Sequence, residues 1–489
     1  MMVLICNSKF IMSLVQSDHS TLLERPALYT DFYELTMAQG YFLAGRQDEE
    51  ATFDYFFRDL PFKGGYVIFA GLADFLKTLQ NFRFHDNEIA YLAKQGFRKE
   101  FLDYLRNFEL SADIYAAREG EIVYPTEPIV RVEGSIVETQ ILETLLLNIL
   151  NFESLIATKA SRMKYAAGDR KVLDFGLRRA QGYGGIQASK AAYIGGVEAT
   201  SNVYSSFRDD IPASGTMAHS WIQSFDDELT AFRKYAEYYP DDCILLVDTY
   251  DTLNSGVPNA IKVGKELEKK GYKLKGVRLD SGDLAYFSRQ ARQQLDEAGL
   301  EYVKIAASNQ LDERLIKSLI SQDAPIDLFG VGTRLVTGQD SPALDGVYKL
   351  ASVNSEPKLK ISENIEKITL PGRKKVIRYS GDDGTFYGDG IVLEHEENVE
   401  TIYHPHYPAK HATVTSFNAE YLLSKVMQDG KLTIDIPTPK ESASYAEQRL
   451  TKVIPEHKRF DNPHIYKVGI SKALMNLRDD LTQKMQNKS

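Results

Sequence analysis

LKGVRLDSGD, residues 274–283, joins a short apolar run to a cluster of polar side chains. Four other segments have the same design: KVLDFGLRR (171–179), CILLVDTYDT (243–252), YVKIAASNQ (302–310) and IDLFGVGTRLV (326–336). Helical patterns lie between them, as in NAIKVGKELEKKG (259–271) and DERLIKSLISQ (312–322). Runs that are apolar throughout are typical of parallel strands that are buried on both faces. Five such units favour an α/β barrel over a short open sheet.

The segments on either side of these units have other patterns. ATFDYFFRDLPF (51–62) alternates as a strand does, EGEIVYPTEPIVRVEG (119–134) predicts a pair of strands with a proline turn, and residues 138–168 predict two helices. From about residue 351 the alternation of strand and helix stops. We therefore predict four parts: a disordered or frayed N-terminus (1–24), an N-terminal α/β domain (25–150), the barrel (151–350) and a smaller C-terminal lobe (351–489).

Composition limits the possible functions. The chain has 489 residues, of which 43% are hydrophobic and 26% charged, as in ordinary soluble globular proteins. A net charge of −10 argues against a general nucleic-acid-binding surface. Cys6 and Cys243 provide neither a disulfide framework nor a zinc-ligand spacing, so we expect a reducing, cytoplasmic location. The apolar first dozen residues lack the features of a signal peptide, and we predict no membrane-spanning segment.

Polar side chains collect where the predicted strands end, which is the edge that carries the active site in α/β barrels. They are Arg178, Arg179, Asp248, Asp251, Arg278, Asp280, Ser281, Asp283, Ser308, Asn309 and Thr333, and Gly332 precedes the last of them. Arginine forks match phosphate oxygens, and glycine-flanked N–H groups that open a helix can hold an anion. Carboxylates can hold ribose hydroxyls or a Mg²⁺ that carries a pyrophosphate. This set indicates a site for a phosphorylated sugar.

Each motif taken singly also has a structural interpretation. A glycine after a strand is often only a turn, Asp280 can cap the next helix, and the arginine pair can be a solvated face. Their joint placement on successive strand ends favours a site. His219, in GTMAHS (215–220), either hydrogen-bonds a neighbour or attacks phosphorus as a neutral imidazole. Spacing alone favours the first of these.

Six motifs in order make the chain similar to nicotinate phosphoribosyltransferases. They are YTDFYELTMAQGY (29–41), GLRRAQG (176–182), GTMAHS, VDTYDTLNSG (247–256), GVRLDSGDL (276–284) and GVGTRLVT (330–337), and GVYKL (346–350) and LPG (370–372) also match. The resemblance implies an irregular, TIM-like α/β barrel with an N-terminal α/β domain across its mouth, usually in a homodimer with the active site near the subunit interface. It also implies that 5-phosphoribosyl 1-pyrophosphate (PRPP) and nicotinate give nicotinate mononucleotide and pyrophosphate in NAD salvage. ATP is a co-substrate, and we expect Mg²⁺ to accompany the pyrophosphate.

The same resemblance implies roles for single residues. His219 resembles a histidine that ATP phosphorylates transiently, and we count it as catalytic together with Arg278 and Asp280. Three residues match contacts to nicotinate, with the first stacking on the pyridine ring and the last near the carboxylate: Tyr33, Thr216 and Arg278. Five match positions that bind the phosphates or ribose of PRPP: Arg178, Asp280, Ser281, Gly332 and Thr333. The ligands of the metal stay unknown.

Three other functions remain open on the sequence. A nicotinamide phosphoribosyltransferase would have the same fold, but a carboxamide needs a hydrogen-bond acceptor where a carboxylate needs donors. A barrel lyase or aldolase would need a Schiff-base lysine, and Lys304 is the candidate. A nucleotide-sensing or scaffold protein on a decayed enzyme fold is the third, and the presence of Arg278, Asp280 and His219 argues against it.

Overall fold

The five apolar runs form strands of one parallel sheet, the barrel sheet. The computed structural model describes residues 25–362 and 368–487, so the segment predicted to be frayed (1–24), with Cys6, lies outside the described residues. Across the sheet the strands are Ala199–Thr200, Lys171–Asp174, Leu328–Val331, Lys304–Ser308, Gly276–Leu279 and Ile244–Leu246. Every neighbouring pair is parallel. Within the described residues the two edge strands do not pair with each other, which makes the predicted α/β barrel irregular.

Helices follow the strands of this sheet and cover it. They are Gly184–Ile194, Val203–Asp209, His219–Gln223, Glu228–Tyr238, Val257–Lys269, Leu284–Glu297, Glu313–Ser321 and Thr333–Val336, with short turns at Leu177–Arg179 and Thr252–Gly256. Leu245, Val277 and Ile305, at the centres of three runs, are fully buried in one core with the facing helices. Burial on both faces of the sheet explains why the runs are apolar throughout.

The N-terminal sheet is antiparallel and takes strands from three distant parts of the chain. In spatial order they are Glu356–Pro357, Gly346–Val353, Glu50–Phe57, Val130–Ser135, Asp113–Ala116, Ser424–Gln428 and Lys431–Leu432. The predicted boundary at residue 350 therefore falls inside a strand, and the boundary at residue 150 falls inside the helix Glu143–Ala167. The division into four parts stays a prediction.

The two strands predicted within residues 119–134 are present with the proline turn between them, but they do not pair with each other. Ile122–Val123 pairs with Val67–Ile68 in a separate two-stranded sheet, whereas Val130–Ser135 belongs to the N-terminal sheet. The turn between them contains Pro125 and Pro128, which have no N–H to donate to a ladder. The prolines therefore mark the passage from one sheet to another. The helices of this region are Phe32–Leu43, Leu72–Leu79, Asp86–Lys94, Lys99–Arg106, Ile136–Ile141 and Glu143–Ala167, with short turns at Pro26–Leu28 and Pro61–Lys63.

The C-terminal sheet is joined to the N-terminal part by a buried arginine. Its strands, in spatial order, are His411–Thr413, Thr401–Tyr403, Val468–Ile470, Phe386–Leu393, Lys374–Ser380 and Asn418–Tyr421. The helices of this part are Pro439–Thr451 and Lys472–Gln486, with a short turn at Pro455–Lys458. Arg378 is fully buried and forms ion pairs of 2.6 Å with both Glu121 and Asp389. A charge at this depth is tolerated only because it is fully paired. Among the described helices, none combines the length and apolar character required to cross a membrane.

Candidate active site

The polar residues predicted at the strand ends lie along one edge of the barrel sheet, which we call the rim. The register aligns Val331 with Asp174, Ser308 with Gly330, and Leu279 with Ala307. Because the strands are parallel, the residues that follow them emerge on the same side of the sheet. The loops bearing Arg178, Asp280 and Thr333 therefore open onto one mouth, as the sequence predicts.

Arg278 and Thr216 contact each other at the rim. The Arg278 guanidinium donates through Nη1 to Thr216 Oγ1 at 2.6 Å. Its Nε is buried and has no hydrogen-bond partner, and no carboxylate within the described residues forms an ion pair with it. Burial lowers the pKa of Arg278 despite the nearby carboxylates, and the positive charge of Arg178 acts in the same direction. A half-buried cation with a donor still to satisfy is suited to an anionic ligand.

Asp280 is held by hydrogen bonds from neighbouring loops. Its Oδ1 accepts a short hydrogen bond from the Ser308 hydroxyl. Asp248 Oδ2 accepts both the backbone N–H of Asp280 and the hydroxyl of Ser281, each at 2.7 Å. Asp280 does not cap the next helix, because the N-cap of Leu284–Glu297 is Asp283, whose side chain accepts from Tyr286 N at 3.0 Å. These hydrogen bonds to Ser308 and Asp248 hold Asp280 in place at the mouth.

Asp280 and Asp283 are therefore expected to respond oppositely to substitution. Asp283→Ala removes a helix cap, so we expect it to lower the free energy of unfolding by about 1 kcal/mol while activity persists. Asp280→Asn keeps the shape of the side chain, so the unfolding free energy should change little, while kcat/KM falls about tenfold or more with the loss of the charge. Urea unfolding and initial rates on the two variants measure both effects. A loss of stability for Asp280→Asn equal to that of Asp283→Ala would contradict the assignment.

His219 begins the short helix His219–Gln223 and faces two side chains of the rim. Its Nδ1 lies 3.1 Å from Thr249 Oγ1, and its Nε2 lies 3.9 Å from Asp280 Oδ2. The imidazole is 40% exposed. Trp221 anchors this helix, since its Nε1 donates to Ala231 O at 3.1 Å. The structure thus brings His219 within reach of a ligand that is bound beside Asp280.

Two loops meet at the other end of the rim. Gly332 and Thr333 follow the strand Leu328–Val331, and Gly332 packs beside Phe175 and Gly176. Asp174 shapes the second loop, because its Oδ1 accepts from Gly176 N at 2.8 Å. Arg178, in the turn after Gly176, is exposed and forms no ion pair within the described residues. An arginine beside a glycine turn is suited to phosphate.

Tyr33 is the one predicted site residue whose contacts lie elsewhere. It is in the helix Phe32–Leu43, is 44% exposed, and has Glu143 and Glu34 beside it. Burial, with these carboxylates, raises the pKa of its hydroxyl. No hydrogen bond or ion pair within the described residues joins Tyr33 to the rim. Its stacking role stays a prediction.

Sequence reasoning missed two residues that support this site. Thr249 follows directly after Asp248 in VDTYDT, where the end of a strand could have indicated it. Asp174 ends its strand and is fully hydrogen-bonded, with Oδ2 accepting from Ser189 and Thr200 hydroxyls at 2.8 and 2.7 Å. Lys304, the Schiff-base candidate, begins its strand and pairs with Asp327 at 2.9 Å, so it lies at the edge opposite the rim.

The residues of the rim were tested for a metal site. Within the described residues, no group of three or more His, Cys, Asp or Glu is arranged to hold a metal ion. Asp248 Oδ1, however, is a buried carboxylate oxygen without a hydrogen-bond partner. Mg²⁺ prefers oxygen ligands and is often held by one or two carboxylates together with substrate phosphates. The rim therefore fits a cation that arrives with its phosphates and does not fit a metal bound by protein alone.

An irregular α/β barrel with a rim of arginines, carboxylates and hydroxyls fits the class that the sequence motifs imply, the α/β-barrel phosphoribosyltransferases. Three family matches cover most of the chain: the nicotinate phosphoribosyltransferase N-terminal domain over residues 28–151, the nicotinate phosphoribosyltransferase family over 170–382 and the C-terminal domain over 373–478. The chain therefore belongs to the nicotinate phosphoribosyltransferase family.

Individual relatives agree with this membership. A nicotinate phosphoribosyltransferase of Bacillus subtilis is 43% identical over 91% of this chain and 93% of that protein. A nicotinate phosphoribosyltransferase of Caenorhabditis elegans is 37% identical over 91% of this chain and 92% of its own length. The crystal structure of the human nicotinic acid phosphoribosyltransferase superposes with a TM-score of 0.83 at 32% identity, covering 92% of this chain and 99% of that one.

Proposed function

We propose that this chain transfers the 5-phosphoribosyl group of PRPP to nicotinate, giving nicotinate mononucleotide and pyrophosphate. The observation that carries the proposal is Arg278, a half-buried cation at the rim with an unpartnered donor and no carboxylate partner. Membership of the nicotinate phosphoribosyltransferase family supports the same conclusion. A carboxamide ring would need an acceptor at this point, and Arg278 provides only donors. The acid is therefore favoured over nicotinamide as the substrate.

The residues of the rim would act mainly by positioning and electrostatics. Displacement at the anomeric carbon builds positive charge on the ribose ring and negative charge on the departing pyrophosphate. Arg278 and Thr216 would hold the nicotinate carboxylate so that the pyridine nitrogen points at that carbon. Asp280 and Ser281 would bind the ribose, and Arg178, Gly332 and Thr333 would bind phosphate groups. No covalent bond between protein and sugar is required.

ATP coupling through His219 belongs to the same proposal. His219 would attack the γ-phosphorus of ATP through Nε2, so that an N–P bond forms as the bond to the departing ADP breaks. Nε2 lies 3.9 Å from Asp280 at the mouth, and Nδ1 lies 3.1 Å from Thr249. Phosphorylation can favour one state of the loops only if the ligands bind the two states with different affinity. We propose that the phosphorylated state binds PRPP more tightly and that hydrolysis allows the products to leave. Mg²⁺ would supply charge neutralisation on the pyrophosphate, with Asp248 and Asp280 as available oxygen ligands.

The proposal extends to the assembly and its location. A cytoplasmic homodimer with the active site near the subunit interface is what the resemblance implies. Tyr33, which is 44% exposed in the helix Phe32–Leu43, would then be available to a second copy of the chain. Its ring would stack on the pyridine of nicotinate, as the matched motif implies.

A direct assay tests the function. Nicotinate, PRPP and Mg²⁺ are mixed with the protein, with and without ATP, and nicotinate mononucleotide is measured by chromatography. We expect the mononucleotide in both reactions and a faster rate with ATP. Nicotinamide in place of nicotinate is the matched control and should be turned over at least tenfold more slowly, because it carries no charge for Arg278. Equal rates with the two bases would contradict the assigned substrate.

A further inference from the structure

A second cavity lies between the N-terminal part and the C-terminal sheet, away from the rim. It is open to solvent and has a volume of about 1070 Å³, which is enough for a ligand of nucleotide size. Residues 58–60 and 124–126 form one wall, and residues 402–412 and 464–469 form the other. None of the residues assigned to the rim lines it. The cavity is therefore separate from the proposed site of phosphoribosyl transfer.

Three basic side chains line this cavity without a carboxylate partner. Arg58, Lys410 and Lys467 form no ion pair within the described residues. The ammonium group of Lys467 lies 3.7 Å from the ring centre of Tyr387, and that of Lys410 lies 5.6 Å from the ring centre of Tyr407. Both lysines are exposed with an aromatic face beside them, so their N–H donors are available to a ligand. Unpaired cations around a concave surface indicate an anionic ligand.

Aromatic rings and a histidine add the features that a flat ligand would need. Tyr407 lines the cavity and is 61% exposed, so its ring can face a ligand, whereas the rings of Tyr124 and Tyr466 stack on each other at 3.6 Å in the wall. Tyr124 is fully buried, and its hydroxyl has no hydrogen-bond partner within the part of the chain that the structure describes. His404 Nδ1 accepts from the backbone N–H groups of residues 406 and 407, which leaves Nε2 as the N–H donor of that ring.

Two carboxylates lie on the wall that carries Arg58. Asp59 and Asp345 both line the cavity, and the backbone N–H of Arg58 donates to Asp345 O at 3.4 Å. Neither carboxylate is ion-paired within the described residues. A simple anion such as phosphate would be repelled by this wall. A ligand with hydroxyl donors on one side and negative charge on the other would match both walls, with its hydroxyls facing the carboxylates and its negative charge facing the lysines.

We propose that this cavity binds a nucleoside monophosphate. The base lies against the exposed ring of Tyr407, the ribose hydroxyls donate to Asp59 and Asp345, and the phosphate contacts Lys410 and Lys467. The proposal rests on the cavity alone and does not depend on the reaction proposed for the rim.

Photolabelling of the full chain with 8-azido-AMP, followed by peptide mass spectrometry, tests the site. We expect label in peptides containing residues 402–412 or 464–469, and we expect unmodified AMP to prevent it. Label confined to the rim segments 174–182, 215–220 and 330–337, or no label that AMP prevents, would overturn the proposal. Pyrophosphate is the second competitor, and competition as strong as that of AMP would overturn the assignment to a nucleotide. Labelling requires no turnover, so an inactive enzyme would not affect the result.

Charge-removing variants sharpen the test. Lys410→Met together with Lys467→Met keeps the aliphatic stems, and we expect AMP to bind there about tenfold more weakly. Lys431→Met, an exposed lysine of the same part of the chain, is the matched control and should label like the unmodified protein. Lys410 is itself exposed, so Lys410→Met alone gives a decisive result if the double variant fails to fold. Unchanged affinity in the Lys410→Met variant would count against the site.

Discussion

Arg278→Ala is expected to raise the KM for nicotinate about 100-fold or more while the KM for ATP stays nearly constant. Arg278 donates to Thr216 at 2.6 Å and has a buried Nε without a partner, so its loss leaves the carboxylate of the bound ring without a counter-charge. Removing one partner of such a pair costs about 2–5 kcal/mol, which is the origin of the expected factor. Initial rates at varied nicotinate and varied ATP measure both constants.

Two comparisons make the Arg278 result specific. Nicotinamide carries no negative charge, so Arg278→Ala should affect its KM far less than that of nicotinate. Arg233→Ala removes an exposed arginine that pairs with Glu266 on the outside of the barrel, and it should leave both constants unchanged. Equal rises in the KM values for nicotinate and ATP would show that Arg278 acts on the fold and not on the pyridine carboxylate.

The barrel was predictable because its strands are buried on both faces. Val277, Leu245 and Ile305 leave an unbroken apolar run in the sequence, and the polar residue that ends each run marks the rim. The N-terminal sheet was harder, because Gly346–Val353 pairs with Glu50–Phe57 about 300 residues earlier in the chain. No local pattern encodes a partner at that distance. The pairing of Ile122–Val123 with Val67–Ile68, instead of with the next strand in the chain, is likewise not encoded locally.

The sequence predicts which residues form the candidate site better than it predicts which residues they contact. Once the barrel is predicted, the strand ends identify Arg278 and Asp280, because parallel strands bring their carboxyl ends together. The partners of these residues come from other loops: Thr216 for Arg278, and Ser308 for Asp280. Thr249 was missed since a threonine after a strand has no distinctive spacing, and only the folded chain puts it 3.1 Å from His219.

His219→Asn is expected to abolish both the phosphoenzyme and the stimulation by ATP. Incubation of the unmodified protein with γ-labelled ATP should give a label that acid removes and alkali preserves, which is the chemistry of a phosphorylated imidazole. The label should be on Nε2, because Thr249 engages Nδ1. His219→Asn should carry no such label, and its rate of mononucleotide formation should be the same with and without ATP.

The residual rate of His219→Asn decides what the histidine does. If phosphorylation only shifts the loops between states of different PRPP affinity, transfer to nicotinate must persist without it, since Arg278, Asp280 and the phosphate loops are unchanged. The slow rate should therefore equal that of the unmodified protein without ATP, with a high KM for PRPP. His395→Asn, an exposed histidine of the C-terminal sheet region, should keep both the label and the stimulation. Full acid-labile label on His219→Asn would place the phosphoryl acceptor elsewhere. A complete loss of transfer in the absence of ATP would instead show that His219 is required for the transfer step itself.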